Sequence, residues 1–274
     1  MLFYGVLLAA RITPAAPPAQ QAPPRNGYLG FDRNDYPGDA VMAQLRKQFS
    51  FTGYWLTPPP EARNNSWTGK RKMLESRGYG FLLLARGRAL NKIRKATAAQ
   101  QSGSADAREA ARSAEAEGFA IGAIIFLDVE DGGRLPAPYH AYLKAWAEEL
   151  AKLGFRPGVY CSGMVVDEGP GVTIVTADDI RSNEAPRQFV FWVFNDACPP
   201  SPGCVSPANP RLPSASGVKD AAVWQFVRSP RDKETASRCS GYAADENCYA
   251  AADAVRKWFL DMDIAASANP SFAP

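Results

Sequence analysis

Short apolar runs alternate with polar stretches along most of this 274-residue chain, and this alternation restricts the folds that it can adopt. The runs have the length of buried strands, and several of the intervening stretches carry apolar residues at helical spacing. Eight strands are predicted, over residues 28–32, 51–57, 80–86, 123–130, 157–161, 189–195, 222–226 and 259–264. Helices are predicted over residues 39–49, 70–77, 105–118, 138–153, 177–182 and 249–257. Alternating strands and helices form parallel crossover units, so we expect an α/β fold, a closed (β/α)₈ TIM-like barrel.

The second half of the barrel is expected to be irregular. Residues 197–221 are rich in Pro, Ser and Cys and show no helical pattern, and residues 228–247 have the composition of a long loop. The predicted irregularity therefore lies around strands 5 to 8. With 46% hydrophobic residues, the chain can bury one sizeable core, and we expect a single barrel domain over residues 27–274.

The segment 124–131, I-I-F-L-D-V-E-D, is an apolar run that ends in three acids. Side chains alternate along a strand, so Asp128 and Glu130 should point the same way at the carboxyl end of a barrel strand, where such folds carry their chemistry. Two carboxylates in different surroundings can supply a proton donor and a stabilising anion, which glycoside hydrolysis requires. The alternative is a solvated strand end, because D-x-E is a frequent tripeptide.

Polar and aromatic residues also stand at the ends of the other predicted strands. If the barrel is correct, these ends meet at one mouth. The expected members of this ring, besides Asp128 and Glu130, are Asp32, Tyr160, Trp192, Asp196, Trp224, Gln225, Asp261 and Asp263. Carboxylates beside aromatic rings are typical of sugar-binding clefts, although Trp192 and Trp224 could equally be core residues.

Composition excludes several classes of function. The formal charge of +3, with Lys and Arg scattered, does not indicate a nucleic-acid partner. The chain has one histidine, His140, expected at the surface in the first turn of a helix, so a Ser-His-Asp hydrolase would rest on it alone and a His-rich zinc site is excluded. No phosphate-binding glycine motif and no G-x-S-x-G elbow is present, which argues against nucleotide chemistry and against an esterase or amidase.

Residues 1–26 indicate export. A short apolar stretch over residues 2–10 precedes a Pro/Ala/Gln tract over residues 14–24, which together resemble the remnant of a signal peptide followed by an extended linker. The stretch is too short to span a bilayer, so we expect no stable membrane insertion and a secreted or periplasmic protein. The alternative is an ordinary flexible terminus.

The five cysteines agree with export. Cys198 with Cys204, and Cys239 with Cys248, can each close a short loop as a disulfide. Cys161 is expected to be a buried apolar thiol and not a nucleophile.

Five motifs resemble a known family. They are G-F-D-R-N-D-Y-P, F-L-D-V-E-D, G-V-Y-C-S, W-Q-F and D-M-D-I-A-A-S, in this order across roughly residues 27–266. The sequence resembles the glycoside-hydrolase-like domain of unknown function, a group of secreted bacterial barrel proteins related to the family-25 glycoside hydrolases, the lysozymes that cut bacterial cell walls. The resemblance implies an eight-stranded barrel with Glu130 as the acid, Asp128 beside it, and Asp32 and Asp261 at the other acidic positions.

The leading hypothesis is a muramidase-like glycoside hydrolase that acts on a β-linked, N-acetylated polysaccharide, peptidoglycan above all. Glu130 would protonate the leaving oxygen, Asp128 would stay ionised, and Asp32 would help to hold the attacking water, with no metal or organic cofactor. The expected partner is the polysaccharide itself, and the expected state is a monomer. The second hypothesis is a carbohydrate-binding or cell-envelope module on the same barrel that no longer catalyses.

Overall fold

A computed structural model describes Met1 and residues 26–183, 189–195, 211–228 and 260–273. The strands in these residues are β1 (Tyr28–Asp32), β2 (Phe51–Trp55), β3 (Gly80–Arg86), β4 (Ile124–Asp128), β5 (Arg156–Ser162), β6 (Val165–Gly169), β7 (Val172–Val175), β8 (Val190–Phe194), β9 (Ala221–Val227) and β10 (Asp261–Ala265). The helices are α1 (Asp39–Leu45), α2 (Arg71–Ser76), α3 (Ala96–Glu117), α4 (Ala137–Lys152) and α5 (Thr176–Asn183). The described ranges also contain three short 3-10 helices, Leu90–Lys92, Pro213–Ser216 and Pro270–Phe272.

Eight of the strands close into a barrel in the order β1-β10-β9-β8-β5-β4-β3-β2. Neighbouring strands are parallel from β1 through β2, β3, β4, β5 and β8 to β9. Strand β10 is antiparallel to both β1 and β9. The carboxyl ends of seven strands and the amino end of β10 therefore meet at one mouth.

This mixed barrel agrees with the predicted α/β barrel and with its predicted irregular second half, but it corrects the expectation that all eight strands are parallel. The eighth barrel strand runs against the others, so it is not the product of a parallel crossover. An unpredicted hairpin of β6 and β7 separates β5 from α5, and its side chains are mostly exposed, so it lacks the apolar run of a barrel strand. The part of the connection between β8 and β9 that the structure describes holds the 3-10 helix Pro213–Ser216 and no α-helix.

Helix α3 begins nine residues before the predicted start, at Ala96 instead of Ala105. Its buried face consists of small residues, including Gly103 and Ala107, so the first half lacks the large apolar residues that mark a helix in a sequence. Small side chains let α4 approach closely: a Cβ on Gly103 would lie 2.3 Å from the carbonyl oxygen of Tyr142.

Several predicted features lie outside the described residues. They are the N-terminal residues 2–25, the helix over 249–257, Asp196, and the cysteine pairs Cys198 with Cys204 and Cys239 with Cys248. Cys161 lies on β5 as a buried free thiol, and burial raises its pKa, as expected for an unreactive core cysteine. No helix in the described ranges has an apolar stretch long enough to cross a bilayer.

Candidate active site at the barrel mouth

Four aspartates enter the mouth from three strands. Asp32 ends β1 and Asp128 ends β4, whereas Asp261 and Asp263 open β10. Asp32 lies directly opposite Asp261 in the β1–β10 register, and residues opposite each other in an antiparallel pair share a face. The sequence predicted that these acids stand at the carboxyl end of the eighth strand. Because β10 is antiparallel to its neighbours, they reach the mouth from its amino end instead.

Asp32 is held by a chain of buried hydrogen bonds. Nε2 of Gln225 donates to Oδ2 of Asp32 at 2.7 Å, and the Tyr160 hydroxyl donates to Oε1 of Gln225 at 2.8 Å. All three side chains are buried, with exposed fractions of 6% for Asp32, 2% for Gln225 and 7% for Tyr160. The chain joins β1, β9 and β5 across the barrel, and it orients the Asp32 carboxyl group.

Asp263 lies deeper and is completely buried. Its Oδ1 accepts a hydrogen bond of 3.0 Å from Nε1 of Trp192, which is itself 1% exposed. Its Oδ2 has no hydrogen-bond partner among the described residues. A buried carboxylate oxygen without a donor is costly, so this oxygen is the natural place for a proton.

The Asp32 and Asp263 carboxyl groups influence each other. Burial raises the pKa of Asp32 well above its usual range, and the charge of Asp261 raises it further. Burial and then the charge of Asp32 raise the pKa of Asp263 in the same direction. Since Asp32 also accepts a hydrogen bond from Gln225, we assign the proton of this pair to Asp263 and the negative charge to Asp32.

Asp128 and Glu130 lie at the rim in different surroundings. Asp128 is 5% exposed, whereas Glu130, two residues on, is exposed to solvent. Between them Val129 is fully buried, and its N–H donates to the Tyr160 carbonyl at 2.9 Å, which continues the strand pairing past Asp128. The two carboxyl groups therefore stand at alternate positions of one extended segment.

The acids of the mouth lie around the hydroxyl group of Tyr160. Burial raises the pKa of its hydroxyl well above the usual value, and the charges of Asp32, Asp128, Asp261 and Glu130 raise it further, in that order of size. The geometry agrees: Asp128 pairs in register with Tyr160, and Asp32, which pairs with Asp261, is linked to the Tyr160 hydroxyl through Gln225. Strands β1, β4 and β10 therefore place their acids around this side chain. The structure thus brings together the residues that the sequence had distributed over distant segments.

Aromatic rings form the floor and one wall of the mouth. The Tyr160 ring lies 4.6 Å from the Trp192 ring and 5.7 Å from the Phe194 ring, and Trp192 also contacts Phe126 at 5.9 Å between ring centroids. Phe194 was not predicted as a site residue, although its position two residues after Trp192 on β8 places it on the same face.

Trp224 corrects the prediction that it lines the cavity with Gln225. The two are adjacent on β9, so they point to opposite faces of the strand. The Trp224 indole donates to the Asn195 carbonyl at 2.9 Å and its ring lies 5.8 Å from that of Phe226, two residues away. Trp224 packs outside the barrel lumen as a core residue.

His140 is part of a separate cluster. It lies in α4 as predicted, but its side chain is only 12% exposed and pairs with Asp179 of α5 at 3.0 Å, so the expected surface role is wrong. Among the described residues no group of three or more His, Cys, Asp or Glu side chains is arranged to hold a metal ion.

The fold and its mouth define a glycoside hydrolase-like α/β barrel. Residues 64–198 match the family model described as the Rv2525c-like, glycoside hydrolase-like domain. No curated protein sequence matches the chain.

Solved structures share the architecture. An uncharacterised B. stearothermophilus protein is 20% identical, with a TM-score of 0.56 over 87% of this chain and 96% of its own. The Mycobacterium tuberculosis Tat-secreted protein Rv2525c, in complex with L-tartrate, is 13% identical, with a TM-score of 0.53 over 91% of this chain and 100% of its own. The Clostridium perfringens spore cortex lytic enzyme SleM is 15% identical, with a TM-score of 0.52 over 90% of this chain and 70% of its own. At these identities the similarity shows the fold.

Proposed function

We propose that the protein is an exported glycosidase that hydrolyses a β-linked, N-acetylated polysaccharide, with peptidoglycan as the substrate. The observation that carries the proposal is the placement of the acids at one barrel mouth: Asp128 pairs in register with Tyr160, Asp32 pairs with Asp261, and Tyr160 is linked to Asp32 through Gln225. Glycoside hydrolysis needs carboxyl groups in two different environments, and this mouth has a buried acid and an exposed one two residues apart.

Glu130 is the proposed proton donor. Its exposed position at the rim lets a polymer reach it from solvent, and a donor must lie within hydrogen-bond distance of the glycosidic oxygen. As the bond breaks, its electron pair leaves with the glycosidic oxygen, which takes the proton of Glu130. The oxygen of a water molecule bonds to the anomeric carbon, and that water gives up one proton to a carboxylate at the mouth.

Asp128 is the proposed anion. It is the inner member of the pair, and its charge would act on the anomeric carbon or on an acetamido-derived intermediate. Asp32 and Asp261 would hold the attacking water or a sugar hydroxyl, and the hydrogen bond from Gln225 fixes the direction of the Asp32 carboxyl group.

The roles of the other predicted site residues follow from how deeply their side chains are buried. Tyr160, Trp192, Gln225 and Asp263 are too buried to offer an open sugar platform, so they shape the floor and set the charge state of the acids. Asp196 stays a proposed binding residue on sequence grounds. The scheme uses no metal or organic cofactor and takes a polysaccharide, not a nucleic acid, as partner of a monomeric protein.

A barrel of this kind is found in SleM, which is named as a spore cortex lytic enzyme. Rv2525c is described as Tat-secreted, which agrees with the export proposed for this chain from residues 1–26. Both proteins support the proposal at the level of the fold.

The test is the release of new reducing ends from purified peptidoglycan and from chitin-like polymers. Glu130→Gln should abolish this release and leave the unfolding midpoint unchanged, because the exposed side chain keeps its size. Asp131→Asn is the matched control: it removes a charge one residue away, keeps the oxygen that accepts a hydrogen bond from Leu90 N–H, and should retain activity. Full activity in Glu130→Gln would exclude Glu130 as the acid.

A second candidate function is a carbohydrate-binding or cell-envelope module without catalysis. The observation that favours it is the depth of the inner hydrogen bonds: Tyr160, Gln225 and Asp32 form one buried chain, and Trp192 donates to Asp263 below it. Such a network can stabilise a barrel with no reaction at its mouth. Co-sedimentation with peptidoglycan without any new reducing ends would identify this function.

A further inference from the structure

A second cleft, of about 690 Å³, opens beside the acidic mouth. The loop after β2, the segment after β3 and helix α3 form its walls. Its charged lining consists of Arg63, Arg86, Arg88, Lys92, Asp106 and Glu109. The cleft therefore has more positively than negatively charged side chains, whereas the mouth is lined by acids.

The cleft and the mouth are adjacent. Arg86 ends β3 and pairs in register with Asp128, which ends β4. The chain then passes against Asp128 so closely that a Cβ on Gly87 would lie 1.9 Å from the Asp128 carbonyl oxygen. The wall of the cleft therefore adjoins the rim of the mouth at Asp128.

One of the four cationic side chains, Arg88, already forms an ion pair within the protein. Arg88 makes two hydrogen bonds of 2.7 Å to the carboxylate of Asp106, and that carboxylate also accepts a hydrogen bond of 2.9 Å from the Tyr142 hydroxyl. This bidentate pair fixes the wall formed by α3.

The other three cations are available. The side chains of Arg63, Arg86 and Lys92 are exposed, and none of them forms an ion pair with any residue that the structure describes. Arg86 contributes only its backbone N–H, which donates to Thr57 Oγ1 at 2.8 Å.

We propose that Arg63, Arg86 and Lys92 bind carboxylate groups carried by the polymer whose backbone lies in the acidic mouth. The inference rests on the proposed function and names its substrate as an acidic, not a neutral, N-acetylated polysaccharide. A mouth ringed by carboxylates repels an anionic polymer, and three cations beside it offset this repulsion. A guanidinium group also matches the planar geometry of a carboxylate with two parallel hydrogen bonds.

The experiment measures equilibrium binding by calorimetry with the full chain carrying Glu130→Gln, so that no probe is cut during the titration. The probes are a neutral hexamer of β-1,4-linked N-acetylglucosamine, peptidoglycan strands stripped of their peptides, which keep the lactyl carboxylates, and intact soluble strands with their stem peptides. The variant is the triple change Arg63→Gln, Arg86→Gln and Lys92→Gln. The matched control is Lys219→Gln, which removes an exposed charge just before β9 begins, at the opposite end of the barrel.

The triple variant should bind the carboxylate-bearing strands about tenfold more weakly and the neutral hexamer with affinity unchanged within about twofold. Lys219→Gln should bind all probes like the parent. Raising the salt from about 50 mM to about 300 mM should weaken binding of the acidic strands to the parent more than to the triple variant. A loss confined to intact strands assigns the stem-peptide carboxylates, and a loss with both strand types assigns the lactyl carboxylates.

Three results would overturn the proposal: no binding of carboxylate-bearing strands to the parent, unchanged binding in the triple variant, or an equal loss for the neutral hexamer. The reducing-end assay separates this inference from the proposed function. Charge-dependent binding without any hydrolysis by the wild-type protein would retain the cleft and reject the glycosidase. Hydrolysis with charge-independent binding would retain the glycosidase and reject the cleft.

Discussion

Tyr160 and Gln225 form the hydrogen bond that decides which way the Gln225 amide faces. The phenol donates to Oε1 at 2.8 Å, so the amide nitrogen is left to donate to Asp32 at 2.7 Å. The two residues are 65 positions apart and lie on β5 and β9, strands separated in the barrel by β8. A contact across the lumen thereby controls the acid at the end of β1.

Tyr160→Phe should weaken both folding and catalysis. Loss of the phenol leaves Oε1 of Gln225 buried without a donor, which costs about 1–3 kcal/mol of unfolding free energy. The amide is then free to turn away from Asp32, and kcat should fall by about tenfold or more because the acid loses its orientation. Denaturant unfolding and the reducing-end assay measure the two effects.

Tyr28→Phe is the matched control for this change, since Tyr28 begins β1 at the end of the barrel opposite the mouth. It should leave activity unchanged. If Tyr160→Phe and Tyr28→Phe behave alike, the Tyr160–Gln225 bond does not orient Asp32.

Asp263→Asn should alter the pH dependence of stability. Burial raises the pKa of both Asp263 and Asp32, so the folded protein binds protons more tightly than the unfolded chain does. Stability from this pair is complete below the usual carboxyl pKa and is lost as the pH rises through the raised values. Asn cannot ionise, keeps an oxygen for Trp192, and can donate to Asp32, so the variant should lose less stability at high pH.

The measurement is the unfolding free energy from about pH 4 to about pH 9 for the wild type, Asp263→Asn and Glu115→Gln. Glu115 is an exposed acid on α3, so its variant should follow the wild-type curve. A steeper loss of stability with pH in Asp263→Asn would show that Asp263 is ionised in the folded protein.

The eight barrel strands could be predicted from the sequence because each of them buries an apolar run. The same reasoning missed β6 and β7, whose side chains are mostly exposed, and it placed the start of α3 too late because a face of alanine and glycine has little apolar contrast. The direction of β10 could not be predicted either, because alternation along a strand is the same in both directions.

The acids at the mouth were predictable for a similar reason. Carboxyl groups that end an apolar run, such as Asp32 and Asp128, stand out against their neighbours. Their partners do not: the bond between Trp192 and Asp263 joins residues 71 positions apart, and only the register of the closed barrel brings them together. Arg86 also ends a strand that the sequence predicted, but no pattern in the sequence indicated that a cleft lies beside it.

Asp179 should anchor the rim that carries Glu130. Its Oδ2 accepts hydrogen bonds from the Leu135 N–H at 2.8 Å and from His140 at 3.0 Å, which ties α5 to the segment between β4 and α4. Asp179→Ala leaves the buried Leu135 N–H without an acceptor and should cost about 1–3 kcal/mol. Asp179→Asn keeps an acceptor and should cost less.

Thermal unfolding of both Asp179 variants checks this, with a shift of about 2–4 °C expected for each kcal/mol. Equal melting temperatures for the Ala and Asn variants would mean that the bond to Leu135 contributes nothing to stability.

Gly53 on β2 leaves the space in which Asp32 stands. A Cβ at this position would lie 2.6 Å from the Asp32 Cβ and 3.1 Å from its Cα, so Gly53→Ala must displace the acid, its backbone, or both. We expect a loss of about 1–3 kcal/mol in unfolding free energy and a larger relative loss of kcat than of substrate affinity, since the displaced group is a proposed participant in the reaction. Gly132→Ala is the matched control, because its Cβ would meet the Ser162 side chain at an ordinary 3.6 Å. Wild-type kcat in Gly53→Ala would show that the position of Asp32 does not limit turnover.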